Sequence, residues 1–300
     1  MKLTELQSLT KQLRKFDPST YIPNKIMILN HFFRSNKLDS VILGMSGGVD
    51  SAAVLGLLLK ASRQADSPIK KIWPLLIPIY GDGVTGQAEG AALAVKQCEA
   101  FGISYKIADL TEAHKAYICH NNSWANGQLA CILRTPCLYY HAAILQVEGF
   151  HSIVVGTTDR DEGAYIGFYG KASDAMVDLQ PIADIHKSEV QAISRLLGVI
   201  PEITERTPTG DVWDGATSET MIGAPLWFVE MYLLIKEHSL EKLQEELNEE
   251  DAKLYNLYSG NVEKLHARNL HKYQVGLPSR FIDILPRAVP GGWGHHESKN

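Results

Sequence analysis

The sequence predicts an α/β fold, a doubly wound parallel sheet flanked by helices on both faces with a helical C-terminal extension, and three observations predict it. Short apolar, β-prone runs alternate through the first half of the chain with longer stretches whose apolar residues recur at helical spacing. The runs are apolar almost throughout, as strands covered on both faces require. Several of them end in glycine-rich or small-residue loops, which in a parallel sheet all lie at the carboxyl edge, where ligands bind.

Taken in order, the N-terminal segment MKLTELQSLTKQLRKF mixes charged and apolar residues at helical spacing and lacks the apolar core of a signal peptide. Val41 to Met45 reads as a buried strand and, beyond a tight loop, Ser51 to Lys60 as a buried helix. A second strand, Ile72 to Tyr80, ends at Gly81-Asp82-Gly83 and is followed by a helix from Gln87 to Phe101. Ser104 to Ala108 reads as a short strand, about Leu129 to Glu148 as a helix, and His151 to Gly156 as another buried strand. Each crossover is expected to be right-handed. After Lys187 the pattern changes: a helix from about Ser188 to Leu197, then Thr204 to Ser218, rich in Pro, Thr, Gly and Asp, then a long helical pattern from about Pro225 to Leu247. The Thr204 to Ser218 segment reads either as a mobile lid or as an ordered surface loop. Ser279 to Trp293, with Pro286, Pro290 and Gly291-Gly292, reads as an irregular strap, and the residues beyond it as a frayed end.

With 300 residues and 45% hydrophobic content, the chain can bury a large core, and one domain over 1–300 is expected. A net charge of −5 gives no global attraction to nucleic acid or to an anionic membrane, so neither is expected as a partner. No run of apolar residues reaches transmembrane length, and the expected address is cytoplasmic. Cys98, Cys119, Cys131 and Cys137 are too few for a disulfide scaffold and form no C-x-x-C pair. They read as reduced structural thiols, with a redox or metal role as the alternative.

Ser46-Gly47-Gly48-Val49-Asp50-Ser51 lies between the first strand and its helix. There, main-chain N–H groups and the positive end of the helix form an anion site. Glycines let the backbone approach an oxyanion without a Cβ in the way. Ser46 and Ser51 add hydroxyl donors, and Asp50 offers a carboxylate for a Mg²⁺ that neutralises phosphate charge. The segment lacks the lysine of a G-x-x-x-x-G-K-[ST] loop and the spacing of G-x-G-x-x-G, which disfavours a kinase-type loop and a dinucleotide fingerprint. Its S-G-G-x-D-S pattern resembles the signature of the N-type ATP pyrophosphatases, which cleave ATP to AMP and pyrophosphate.

Three further stretches narrow the resemblance. Val154-Val-Gly-Thr-Thr-Asp-Arg-Asp-Glu162, Gly167-Phe-Tyr-Gly-Lys171 and Val177-Asp-Leu-Gln-Pro-Ile-Ala-Asp-Ile-His-Lys187 are similar, in that order, to the NAD synthetase run of G-T, a Glu, G-F-x-x-K, D-L-x-P and a Lys. Pro208-Thr209-Gly-Asp211 and His271-Lys272 resemble that family's lid segment and H-K-R end. The similarity extends from about Phe16 to Phe281. It implies an adenine nucleotide alpha hydrolase-like fold and ATP-dependent amidation of deamido-NAD to NAD with ammonia, through an adenylate. Asp50, Glu162 and Lys187 are the implied catalytic residues, with Asp50 and Glu162 on Mg²⁺. Gly44, Ser46, Gly47, Gly48, Asp50, Ser51, Thr157, Lys187 and Thr209 are implied on the ATP side, and Arg134, Lys171, Asp178, His271 and Lys272 on the deamido-NAD side. The resemblance also implies a homodimer with the dinucleotide at the subunit interface. No glutaminase domain is seen, so free ammonia or another protein is expected to supply nitrogen.

The departures gather on the acid side. The family's N-x-x-A-R-T-R helix reads Ala130-Cys-Ile-Leu-Arg134-Thr-Pro136, its F-T-K-Y-G-D-G reads Tyr169-Gly-Lys171-Ala-Ser-Asp174-Ala after an apparent insertion between Glu162 and Gly167, and H-K-R reads His271-Lys272-Tyr273. An AMP-forming amidase with another acid is therefore an alternative, as is a tRNA-modifying pyrophosphatase, which would need reactive cysteines and a basic face. Taken singly, Asp159, Asp161 and Glu162 read as a solvated acidic cluster and Lys171 and Lys187 as surface residues; only the position of Glu162 after a buried strand ending in Gly-Thr reverses this for Glu162. His271, His295 and His296 have no Cys or carboxylate at ligand spacing and do not read as metal ligands.

Overall fold

The computed structural model describes residues 1–81, 86–206 and 217–273. Two helices open the chain, α1 (Leu3–Arg14) and α2 (Pro18–Ser35). Asp17 caps α2 by accepting from the Ser19 N–H, with Pro18 in the first turn, where its missing donor costs nothing. Then follow β1 (Ser40–Gly44), α3 (Val49–Ser62), β2 (Lys71–Leu76), α4 (Gly86–Ala100), β3 (Lys106–Ile107), α5 (Thr111–Tyr117), α6 (Ser123–Val147) and β4 (Ser152–Val155). The rest is helical: α7 (Arg160–Gly163), α8 (Lys187–Leu197), α9 (Pro201–Thr204), α10 (Ser218–Ile222), α11 (Leu226–Glu237) and α12 (Glu249–Asn269), with 3₁₀ turns at Glu241–Glu246 and Leu270–Lys272.

The strands form one parallel sheet in the order β3-β2-β1-β4, with Val41 of β1 opposite Ile72 and Ile153. The order reverses at β1 and β4, so the loops leaving these two strands diverge and open a crevice at the carboxyl edge. Side-chain alternation splits each strand between two cores. Val41, Leu43, Ile153 and Val155 face the helices α2, α3, α4 and α8, while Ile42, Leu75 and Val154 face Ala142 and Leu145 of α6. Helix α3 is buried along nearly its whole length, which is why its apolar residues show no single stripe. A third cluster joins α1 and the C-terminal helices, with Phe228 packed against Tyr232, Tyr255 and Tyr258.

Several boundaries differ from the sequence reading. The β2 ladder stops at Leu76, because Pro78 has no N–H for it, although Ala108 and Leu110 still donate to the Leu76 and Pro78 carbonyls. The pattern from Pro225 to Leu247 is not one helix: α11 ends at Glu237, and Ser239 adopts φ 54 before the 3₁₀ turn. Helix α12 was not foreseen, because it buries only Tyr255, Val262 and Asn269 along a thin seam in a polar sequence. Most of the Thr204 to Ser218 segment, with Pro208, Thr209 and Asp211, lies outside the described residues, as do Gly83, the Ser279 to Trp293 strap, His295 and His296. Among the described residues, no helix is long and apolar enough to cross a membrane.

Candidate active site

The loop after β1 is shaped by two opposed needs. Met45 still donates to the Leu75 carbonyl as a last rung, and three residues later Gly48 stands as the N-cap of α3 with no side chain capping that helix end. The first-turn N–H groups of α3 thus have no intrahelical acceptor. Gly47 makes the bend at φ +82, and a Cβ there would lie 2.1 Å from the Gly90 carbonyl oxygen of α4. Gly47 is therefore demanded by backbone conformation and by the close approach of α4, a reason the sequence reading, which assigned it to the anion, did not see. Gly48 is open, its nearest neighbour being the Ser46 hydroxyl. That hydroxyl accepts from the Gly48 N–H at 3.2 Å, and Ser51 Oγ donates to the Gly48 carbonyl at 3.0 Å.

Beside this loop sits a buried ion cluster. Lys187 is the first residue of α8, only 5% exposed, and its Nζ lies 2.8 Å from Asp50 Oδ2, 2.8 Å from Asp159 Oδ2 and 3.2 Å from Glu162 Oε1. Asp50 comes from the first turn of α3, while Asp159 and Glu162 come from the loop after β4 and from α7. The crevice between β1 and β4 thereby brings them together. Asp159 also caps α7, its Oδ1 accepting from the Glu162 N–H at 2.9 Å. Burial pushes the Asp50 carboxyl above the usual carboxylate range and that of Glu162 well above it, against the pull of Lys187. Burial opposes the charge of Lys187, yet Asp159, Asp50 and Glu162 hold its ammonium well above the ordinary lysine value. Three carboxyl groups face one ammonium, and among the described residues Asp50 Oδ1 is buried without a hydrogen-bond partner.

A cleft of about 180 Å³ lies beside this cluster over the carboxyl ends of β1, β2 and β4. Gly44, Ser46, Arg134, Thr157, Ser173 and Asp174 are among its lining residues. Arg134 of α6 reaches across it, donating from Nε to the Ile77 carbonyl at 3.1 Å and from Nη2 to Gln87 Oε1 at 2.6 Å. Gln180 Oε1 accepts from the Thr158 N–H at 3.0 Å, and a Cβ at Gly156 would meet that amide at 2.5 Å. The loop carrying Thr157 is thus held close to Gln180.

The family model for NAD synthase matches residues 21–276. The chain belongs to the NAD synthase family. It is 29% identical to the NH(3)-dependent NAD(+) synthetase of Pyrococcus furiosus over 266 residues, covering 86% of this chain and 94% of that one. With the synthetase of the same name from Thermoplasma volcanium it shares 32% identity over 187 residues, 61% of this chain and 71% of the other. Among solved structures, NMN synthetase from Francisella tularensis superposes with a TM-score of 0.71 at 21% identity, covering 89% of this chain and all of that one. The NH3-dependent NAD synthetase from Campylobacter jejuni gives a TM-score of 0.66 at 19% identity, with 89% of this chain and 100% of that one covered. These likenesses carry the fold, which is the doubly wound one that the sequence predicts.

Set against this NAD synthase frame, the residues singled out from sequence fall into three groups. Gly44, Ser46, Thr157 and Arg134 line the cleft, and Gly47, Gly48, Asp50, Ser51, Glu162 and Lys187 form the loop and ion cluster beside it. Asp178 and Lys272 are committed to main chain: Asp178 Oδ2 accepts from the Val154 N–H at 2.7 Å, and Lys272 Nζ donates to the carbonyls of Gly167 and Tyr169. Lys171 and His271 are exposed and do not line the cleft, and Thr209 lies outside the described residues. Asp159, Asp161, His186 and Gln180 went unassigned. For the two aspartates the signal was an acidic turn directly after a buried strand, which reads as solvated until the partner ammonium is known. Burial pushes the Cys98 thiol up to about 11 and the Cys137 thiol above its usual value, which disfavours thiolate chemistry at either.

Proposed function

We propose that this chain converts deamido-NAD to NAD with ATP and ammonia, releasing AMP and pyrophosphate, and that the loop from Ser46 to Ser51 holds the pyrophosphate end of ATP. The observation that carries the reading is the buried Lys187 held between Asp50 and Glu162 at the open N-terminus of α3. A carboxylate must be activated before ammonia can displace oxygen from it. In the first step its oxygen attacks the α-phosphorus, the bond to the bridging oxygen of pyrophosphate breaks, and an acyl adenylate forms. Ammonia then adds to the acyl carbon and AMP leaves with one carboxylate oxygen. The α3 terminus, with the Gly48 N–H that here donates to Ser46 Oγ, donates to the growing negative charge of pyrophosphate, and Lys187 offsets it. The cleft orients the nucleotide, and Arg134 in its wall is kept for the deamido-NAD side, as the family pattern implies.

Asp50 and Glu162 suit a Mg²⁺ shared with the phosphates, since three carboxyl groups meet a single ammonium there and Asp50 Oδ1 has no partner among the described residues. Mg²⁺, when bound, screens the triphosphate from the attacking carboxylate. Among the described residues no group of three or more His, Cys, Asp or Glu is placed to hold a metal ion by itself. A homodimer fits the exposed Trp124, Ile132, Tyr140 and Val147 of α6, apolar area that a second copy would cover. Sedimentation at micromolar concentration should give twice the chain mass; a monomer would contradict this.

A second reading, amidation of a different acid, is favoured by the departures from the family pattern at Ala130 to Pro136, Tyr169 to Ala175 and His271 to Tyr273. The test is pyrophosphate release with ATP, Mg²⁺ and ammonium across a panel of acids that includes deamido-NAD and nicotinic acid mononucleotide. Dependence on deamido-NAD and ammonium together supports the main reading. Turnover with another acid and none with deamido-NAD would replace it.

A further inference from the structure

Behind the ion cluster lies a buried pair that the reaction as described does not use. Asp161 and His186 are both 0% exposed, and His186 Nδ1 lies 2.6 Å from Asp161 Oδ1. The other carboxylate oxygen, Asp161 Oδ2, accepts from the main-chain N–H of Lys187 at 2.7 Å. His186 is the N-cap of α8, but its ring turns toward Asp161, and its own N–H donates to Glu189 Oε2 at 2.9 Å. Asp161 thus supplies from α7 a cap for the first N–H of α8. Among the described residues His186 Nε2 is buried without a hydrogen-bond partner, so the contact of the ring with Asp161 through Nδ1 is its one polar anchor there.

The geometry points to Asp159 and the Asp161–His186 pair as positioning residues for Lys187. This rests on the reading of Lys187 as the group that meets the triphosphate. A lysine side chain is long and rotatable, so the place of its ammonium is set only if both ends are held. Asp161 holds the main-chain end and His186 fixes the Asp161 carboxylate. Asp159 holds the Nζ end, and its second oxygen orients Glu162 through the Glu162 N–H. One short turn therefore sets the spacing between Lys187 and Glu162. Of the three carboxylates on Nζ, Asp159 is the one not assigned to a metal, so it stays as counter-ion when Asp50 and Glu162 turn to the nucleotide.

The test compares Asp161→Ala, His186→Leu, His186→Asn and Asp159→Asn with Lys187→Ala, alone and combined. Asp161→Ala and His186→Leu should lower kcat by about tenfold to a hundredfold, as lost supporting hydrogen bonds do elsewhere, with KM for the acid little changed. His186→Asn, whose amide can donate where Nδ1 does, should return most of the loss. Once Lys187 is alanine, Asp161→Ala should cost nothing further. Losses that add to that of Lys187→Ala, or no loss at all, would overturn the proposal. A second readout needs no turnover: acetic anhydride labelling of the folded protein, mapped by mass spectrometry. Lys187 should be protected in the wild type and labelled in Asp159→Asn and Asp161→Asn; equal protection in all three would also overturn it. If the wild type forms no pyrophosphate with deamido-NAD, the functional reading fails, while the labelling still judges the positioning.

Discussion

Gly47→Ala tests whether the phosphate loop is built as described. Gly47 sits at φ +82, where an alanine costs about 1 kcal/mol or somewhat more. Its Cβ would stand 2.1 Å from the Gly90 carbonyl oxygen, so α4 must retreat by more than about 1 Å, or the loop must move; forced overpacking of this kind typically costs about 1–3 kcal/mol. Together these predict a loss of about 2–5 kcal/mol, a drop of roughly 5–15 °C in melting temperature for a domain of this size. Gly48→Ala is the matched control. Gly48 has φ −88, and its Cβ would meet only the Ser46 hydroxyl at 3.3 Å, so stability should change by less than about 1 kcal/mol. The added methyl group nevertheless stands where the triphosphate is proposed to lie, and affinity for ATP should fall. Calorimetry without nucleotide measures the first quantity and titration with a non-hydrolysable ATP analogue the second. Wild-type melting in Gly47→Ala would refute the described contact with α4, and wild-type affinity in Gly48→Ala would refute the grip of main chain on phosphate.

Three other outcomes follow from the same structure. Asp50→Ala should cut pyrophosphate release by at least about a hundredfold. Its melting temperature should hold, since one of three carboxylates facing Lys187 is removed; undiminished turnover would contradict the metal role. Glu230, buried against Ser188 and near Lys11, has its carboxyl pushed above the usual range, by burial first and by Asp161 second. A raised folded-state value contributes stability that is complete below the ordinary glutamate pKa of 4.5 and is lost as pH rises through the folded value. Glu230→Gln should therefore melt higher than wild type at neutral pH, the gap closing near about pH 4; a gap independent of pH would refute this. Phe228→Ala, at a fully buried ring packed by three tyrosines, should cost about 3–5 kcal/mol; a loss under 1 kcal/mol would mean that the third core is loosely packed.

The elements best read from sequence were those whose burial is local and complete. The runs at Val41 and His151 and the helix after Ser51 announce themselves because each is apolar on all sides, and the loop between Met45 and Val49 follows from its glycines. Helix α12 was missed because its buried seam is thin, and α11 was overextended because the charged turn after Ser239 keeps a helical spacing of leucines. At the site, Asp50, Glu162 and Lys187 were legible through a family pattern. Asp159, Asp161 and His186 were not, because a carboxylate looks solvated in sequence until folding sets an ammonium or an imidazole against it. Lys272, expected on the deamido-NAD side, has in the structure a further task that sequence does not announce: its ammonium donates to the carbonyls of Gly167 and Tyr169.

The most direct measurement follows oxygen. Deamido-NAD carrying ¹⁸O in its nicotinate carboxylate, turned over with ATP, Mg²⁺ and ammonium, should leave one labelled oxygen in AMP and one in the amide of NAD. Unlabelled AMP, or label in inorganic phosphate accompanied by ADP, would contradict attack at the α-phosphorus and with it the role given to the loop at Gly47 and Gly48.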